Sequence, residues 1–215
     1  DYVIRMLVDI VSKGGNLLLN VGPSPEGTIG PHETKALEET GRWLEKYGEA
    51  IYGTTASPFR YLPFHGRCTV KGNTLYAIVF TWPKDRQIVL PGLKNAIRGV
   101  RLLGDADANL SAMKSADLSF ASPVTRWDVE VKLPNKAPDD IASVVAIDLD
   151  SAPAIEGFVA CPQPRFDGTI NLPIIFGDLR GRHGQQIRVE SADGEVHAGN
   201  WTNKHDYITW ELTSF

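Results

Sequence analysis

Apolar positions along this chain follow two different periods. Over the first 50 or so residues they recur at helical intervals, and from Arg67 to about Leu149 they alternate. Val3, Leu7, Ile10 and Val11 make a helical stripe that stops at Ser12-Lys13-Gly14-Gly15, where glycine past a helix end adopts positive φ without steric cost. Asn16-Leu17-Leu18-Leu19-Asn20-Val21 is a short apolar run. It predicts a strand buried on both faces, as in a parallel sheet covered by helices. Pro23 to Gly30 is dense in Pro and Gly and predicts a shaped turn. Pro31 suits the first turn of a helix running to about Tyr47-Gly48, with Ala36, Leu37, Thr40, Trp43 and Leu44 as its apolar face. Helix, buried strand, shaped loop, helix is one repeat of an α/β barrel or doubly wound sheet.

The alternating region predicts an antiparallel sandwich. Thr69 to Phe80 reads as a hairpin about Gly72-Asn73, and Gln87–Leu90, Gly99–Leu103, Trp127–Leu133 and Val144–Leu149 are further strands between turn residues. Ser151-Ala152-Pro153-Ala154 reads as a linker. Beyond it, Ile170–Leu172, Gln186–Glu190 and Tyr207–Leu212 read as strands. The chain opens on a helix already in progress and closes on a strand expected to lack its partner, so both ends are expected to continue into further sequence.

Composition narrows the function classes. With 42% hydrophobic and 22% charged residues the chain is ordinary for a globular protein. A net charge of −4 offers no basic stripe, so nucleic acid is not an expected partner. No apolar run approaches the ~20 residues needed to cross a bilayer, so no membrane partner is expected either. Cys68 and Cys161 are far apart; one long-range disulfide is conceivable, and two free, partly buried thiols are the expectation. His32, His65, His183, His197 and His205 never fall at ligand spacing, so neither a metal nor another cofactor is expected.

A set of ordered motifs resembles a known family. Lys13-Gly14-Gly15-Asn16-Leu17-Leu18-Leu19-Asn20-Val21-Gly22-Pro23, Glu26-Gly27-Thr28-Ile29, Gly41-Arg42-Trp43-Leu44 and Gly48-Glu49-Ala50-Ile51-Tyr52-Gly53-Thr54 resemble the end of the catalytic barrel of glycoside hydrolase family 29, the α-L-fucosidases. The resemblance implies an α/β plus all-β fold. Residues 1–57 would be the last repeat of a (β/α)8-like barrel, 58–150 an antiparallel β-sandwich, and 151–215 part of a second, accessory β-sandwich of the kind appended to secreted glycan-degrading enzymes. It also implies a retaining exo-α-L-fucosidase acting on fucosylated glycans outside the cell or in the periplasm. That chemistry needs an Asp nucleophile and an acid/base carboxylate, and both are expected on earlier barrel strands. No catalytic residue is assigned here, and the fragment alone is expected to be inactive.

Six candidate side chains remain. Glu26 lies in the loop on the catalytic face and reads as a solvated turn residue; Asp9 reads as an exposed helix charge. Asn20, near the end of the barrel strand, either pins the following loop or contacts sugar. Trp201, Tyr207 and Trp210 offer either a sugar-stacking platform or sandwich core, with Trp201 the freer of them because it sits in a turn. The rival reading is a non-catalytic carbohydrate-binding or structural β-sandwich protein. It leaves the barrel repeat over residues 2–49 without a use.

Overall fold

A computed structural model describes residues 1–60, 62–105, 107–108, 110–114 and 128–155. Beyond these it describes four strands at 178–180, 188–192, 195–199 and 207–209. Two α-helices come first, α1 (Tyr2–Ser12) and α2 (Pro31–Tyr47), the second continuing into a 3-10 turn at Gly48–Ala50. Seven strands follow: β1 (Gly66–Lys71), β2 (Thr74–Val79), β3 (Gln87–Leu90), β4 (Ile97–Leu102), β5 (Ser111–Lys114), β6 (Val129–Lys132) and β7 (Ser143–Leu149). They form two antiparallel sheets, ordered β1-β2-β7-β4 and β3-β6-β5.

The hairpin legible in sequence is present. Arg67 pairs with Ile78 and Lys71 with Thr74, which leaves Gly72-Asn73 as a two-residue turn. Gly72 has φ 59° while Asn73 is not left-handed, the arrangement of a turn that demands glycine at its first central position. The strands expected at 87–90, 99–103, 127–133 and 144–149 appear as β3, β4, β6 and β7. β5 was not anticipated. It is short, and its Ser111-Ala112-Met113-Lys114 carries no β-branched residue.

The larger sheet is covered on both sides, and strict alternation decides which side chain goes where. On β2, Leu75, Ala77 and Val79 enter the core between the sheets, with Ile88, Leu90, Val129 and Val131 opposite. Tyr76, Ile78 and Phe80 point the other way, into a second core with Ile4 and Val8 of α1 and Trp43 and Tyr47 of α2. β7 divides in the same manner, Val145 and Ile147 to one core and Val144 and Ala146 to the other. The layers are helices, sheet, sheet. Trp43 Nε1 donates to the Ala142 carbonyl at 2.9 Å, and Arg5 donates to the carbonyls of Phe80 and Ile141. The buried face of α1 is Ile4, Val8 and Ser12, one residue on from the stripe read in sequence, with Leu7 and Val11 at its margin.

Three expectations need correction. First, Asn16–Val21 is not a strand and is not buried: Leu18 is 87% exposed and Leu19 39%. A segment becomes a strand only where neighbours take its N–H and C=O groups, and none of the described strands pairs with this one. Second, Asp9 is not a free surface charge. It is half-buried and ion-paired to Arg67 at 2.6 Å and to Lys13 at 2.7 Å. Third, the strand at 207–209 has a partner: Tyr207–Thr209 pairs antiparallel with Asp178–Arg180, and Arg188–Ala192 pairs with Glu195–Gly199. Ile170–Leu172 lies outside the described residues.

The exposed segment gives a test. Protease added to the folded chain is expected to cut first between residues 15 and 30, while α1 and α2 stay attached through the second core. Equal or greater resistance there than at the 72–73 turn would mean the segment is held by contacts the fold does not show.

Candidate functional site

The sequence pointed to the loop after Asn20. Asn20 is exposed, as are Gly22 and Pro23 on its C-terminal side. The loop is shaped by Ser24: its N–H donates to the Thr28 carbonyl at 2.8 Å, its carbonyl accepts from Gly27, and its Oγ accepts from the Thr28 N–H. Gly27, at φ 80°, supplies the left-handed residue. Glu26 sits on the outside of this turn, where a hydrogen bond from Ser24 holds its carboxyl below the ordinary range. Glu26 is fully solvated, as read in sequence. Trp201 and Trp210 lie outside the described residues, as does Cys161; Cys68 is a free, fully buried thiol, pushed up by its burial.

Among the described residues, several carboxylates are committed to holding the fold. Burial pushes the Asp9 carboxyl up, but bonds and charge from Lys13 and Arg67 outweigh it and leave the group below its usual range. Glu49 accepts from the Tyr76 hydroxyl at 2.7 Å and pairs with Arg101, which also reaches Asp148. Asp139 accepts the N–H groups of Ile141 and Ala142, and Asp128 that of Gly92. Spent on pairs and turns, these groups are not poised as acid and nucleophile.

A second concavity was invisible in sequence because three separate segments line it. A cleft of about 510 Å³ opens between the end of α1 (Ser12, Lys13), the Ala56–Leu62 loop and the start of β1. Gly66 in its wall has no room for a side chain, since a Cβ there would run into the Ile78 carbonyl and the Phe64 ring. His65 Nδ1 lies 2.8 Å from Thr81 Oγ1, and its ring meets Phe80 edge-on. Arg5 and Arg67 both approach the Phe80 ring, at 5.5 and 5.9 Å from its centroid. Burial first, and then repulsion from Arg5 and Arg67, lowers the His65 pKa to about 4. At neutral pH it is an uncharged hydrogen-bonding group.

The comparisons with known proteins agree on one family. Residues 1–49 match the family model described as "Alpha-L-fucosidase". Among curated proteins, an α-L-fucosidase of Branchiostoma floridae is 38% identical over 94 residues, 42% of this chain and 20% of that protein. One of Dictyostelium discoideum is 32% identical over 145 residues, 66% of this chain and 30% of that protein. Among solved structures, α-L-fucosidase isoenzyme 1 from Paenibacillus thiaminolyticus superposes with a TM-score of 0.59 at 34% identity, over 70% of this chain and 34% of that one. In its motifs, its curated relatives and its fold this chain is similar to α-L-fucosidases, and it spans between a fifth and about a third of the length of these relatives.

Proposed function

We propose that this chain is the part of a retaining exo-α-L-fucosidase that completes and braces the catalytic barrel. The whole enzyme would remove terminal α-L-fucose from fucosylated glycans through a covalent glycosyl-enzyme. The observation that carries this reading is the family match over residues 1–49, which spans α1, α2 and the Gly14–Gly30 segment between them. Its run at residues 17–19 is all leucine, with Leu18 and Leu19 exposed. It has the composition of a buried strand and no strand beside it, which fits a barrel strand whose neighbours belong to further sequence. On this reading residues 1–57 are the barrel end, 58–150 the bracing sandwich and 151–215 an incomplete accessory module. Asn20 and Trp201 are the side chains proposed to approach sugar. The enzyme is proposed to work outside the cell or in the periplasm.

Retaining chemistry needs two carboxylates about 5–5.5 Å apart. Among the described residues, Asp9, Glu49, Asp128, Asp139 and Asp148 are tied up in ion pairs and turns, so the pair is proposed to come from the remaining length of the enzyme. Hydrolysis of an aryl α-L-fucoside by the 215-residue chain alone is therefore expected at background rate. The gene's full product is expected to turn it over with retention of configuration. Activity in the short chain that disappears when one of its own Asp or Glu residues is replaced would overturn the assignment.

A further inference from the structure

The segment that reads as a linker is bound to the sandwich along its backbone. Asn95 is a buried polar side chain, 5% exposed, in the loop before β4. Its Oδ1 accepts the Ala154 N–H at 2.7 Å. Its Nδ2 faces four acceptors: Ser151 Oγ at 2.9 Å, the Ala152 carbonyl at 3.1 Å, Asp150 Oδ1 at 3.2 Å and the Ser151 carbonyl at 3.3 Å. An amide nitrogen has two hydrogens, so these four share two donors. The neighbours of Asn95 extend the pattern. Lys94 N–H donates to the Ala154 carbonyl at 2.9 Å, Ala96 and Asp150 exchange bonds, and Leu93 bridges to Ile155. Leu93 is fully buried, and Ile155 packs against the same core.

We infer that Asn95 is a latch that turns residues 150–155 from a tether into a strap. The chain is then fixed to the sandwich as far as Ile155. A free linker of this length would let whatever follows swing, at a loop-entropy cost that grows only slowly with length. The latch removes that freedom before residue 156. The side chains of Ser151, Ala152 and Ala154 are exposed, so the strap's packing against the core is confined to Ile155 at its end. Its order rests on one amide side chain, a short run of backbone bonds and the seating of Ile155. This inference does not depend on the proposed activity.

The test is amide hydrogen exchange on the full chain, read at Ala154 and, as a control for the folded sandwich, at Leu75. Ala154 is expected to be protected in the wild type. In Asn95→Ala its exchange is expected to quicken on the order of tenfold to a hundredfold while Leu75 is unchanged. Asn95→Asp separates the latch from a general loss of packing. The introduced carboxylate keeps the acceptor for Ala154 but faces Asp150 and two carbonyls. The strap should open at neutral pH and close again when the carboxyl is protonated. An Ala154 amide that exchanges freely in the wild type, or that is equally protected in wild type and Asn95→Ala, would overturn the latch. So would opening in Asn95→Asp that does not reverse at low pH.

Discussion

Replacing Trp43 with alanine is expected to lower the stability of the entire chain up to residue 155 in one transition. Trp43 is 3% exposed, and its indole fills the space between α2 and the larger sheet. Its ring lies against Tyr47 with centroids 5.3 Å apart, and its N–H satisfies the Ala142 carbonyl at the entrance to β7. Truncating a buried Trp costs roughly 3–5 kcal/mol, and the orphaned carbonyl adds to it. For a domain of this size that is a fall in Tm on the order of 10 °C. Ile147→Ala, on the opposite face of the same sheet, should cost roughly 2–5 kcal/mol and move the same transition. Urea melts followed by tryptophan fluorescence and by far-ultraviolet dichroism should coincide in both variants. A Trp43→Ala protein that loses only its helical signal, with the sheet melting as in the wild type, would mean that residues 1–57 fold apart from the sandwich.

The coupling between helices and sheet also explains what sequence conveyed well and what it did not. The strands of the sandwich were legible because alternation is local: Thr69 to Phe80 carries its own turn and both of its faces. The helix ends were legible because Gly14 and Pro31 signal them through backbone geometry alone. The meaning of a continuous apolar run was not legible. Leu17-Leu18-Leu19 and Val144-Val145-Ala146-Ile147 look alike in sequence, yet the first is largely exposed and the second lies at the centre of the molecule. Such a run says that both faces want covering, not what covers them. β7 finds β2 and β4 at its edges and a core on each face, and residues 16–21 find neither.

The polar features that hold the fold escaped the sequence for the same reason. Nothing in the sequence around Asn95 marks it, and its role shows only when Ala154, 59 positions later, is seen beside it. Asp9 reads as a helix charge until Arg67 arrives from β1. Neither the spacing nor the neighbours of these residues encodes the meeting. Of the proposed sugar contacts, Asn20 was placed by a strand pattern that the structure does not form, and it is exposed. Nothing in the described residues bears on Trp201.

Acidification below about pH 6.5 is expected to destabilise the chain through His65. Its folded pKa, about 4, lies below the ordinary value of 6.5. Between those two values the unfolded chain binds a proton that the folded chain refuses, so stability rises with pH across this window and is lost as pH falls. Charging His65 would put a third cation beside Arg5 and Arg67 around the Phe80 ring, in a site where burial already disfavours charge. Taking those two pKa values, the loss between pH 7.5 and pH 5 is about 2 kcal/mol. Asp9 contributes in the same direction at lower pH. Its folded carboxyl is held below the ordinary range, so its share is lost only as pH falls below the usual carboxylate value. The window from 6.5 to about 4.5 therefore reports mainly on His65. His65→Gln, which keeps a hydrogen-bonding partner for Thr81 and cannot take up a proton there, should flatten the dependence. Urea midpoints at pH 7.5 and 5 for the two proteins give the answer. Parallel losses of stability in wild type and His65→Gln would show that the imidazole is not the group refusing the proton.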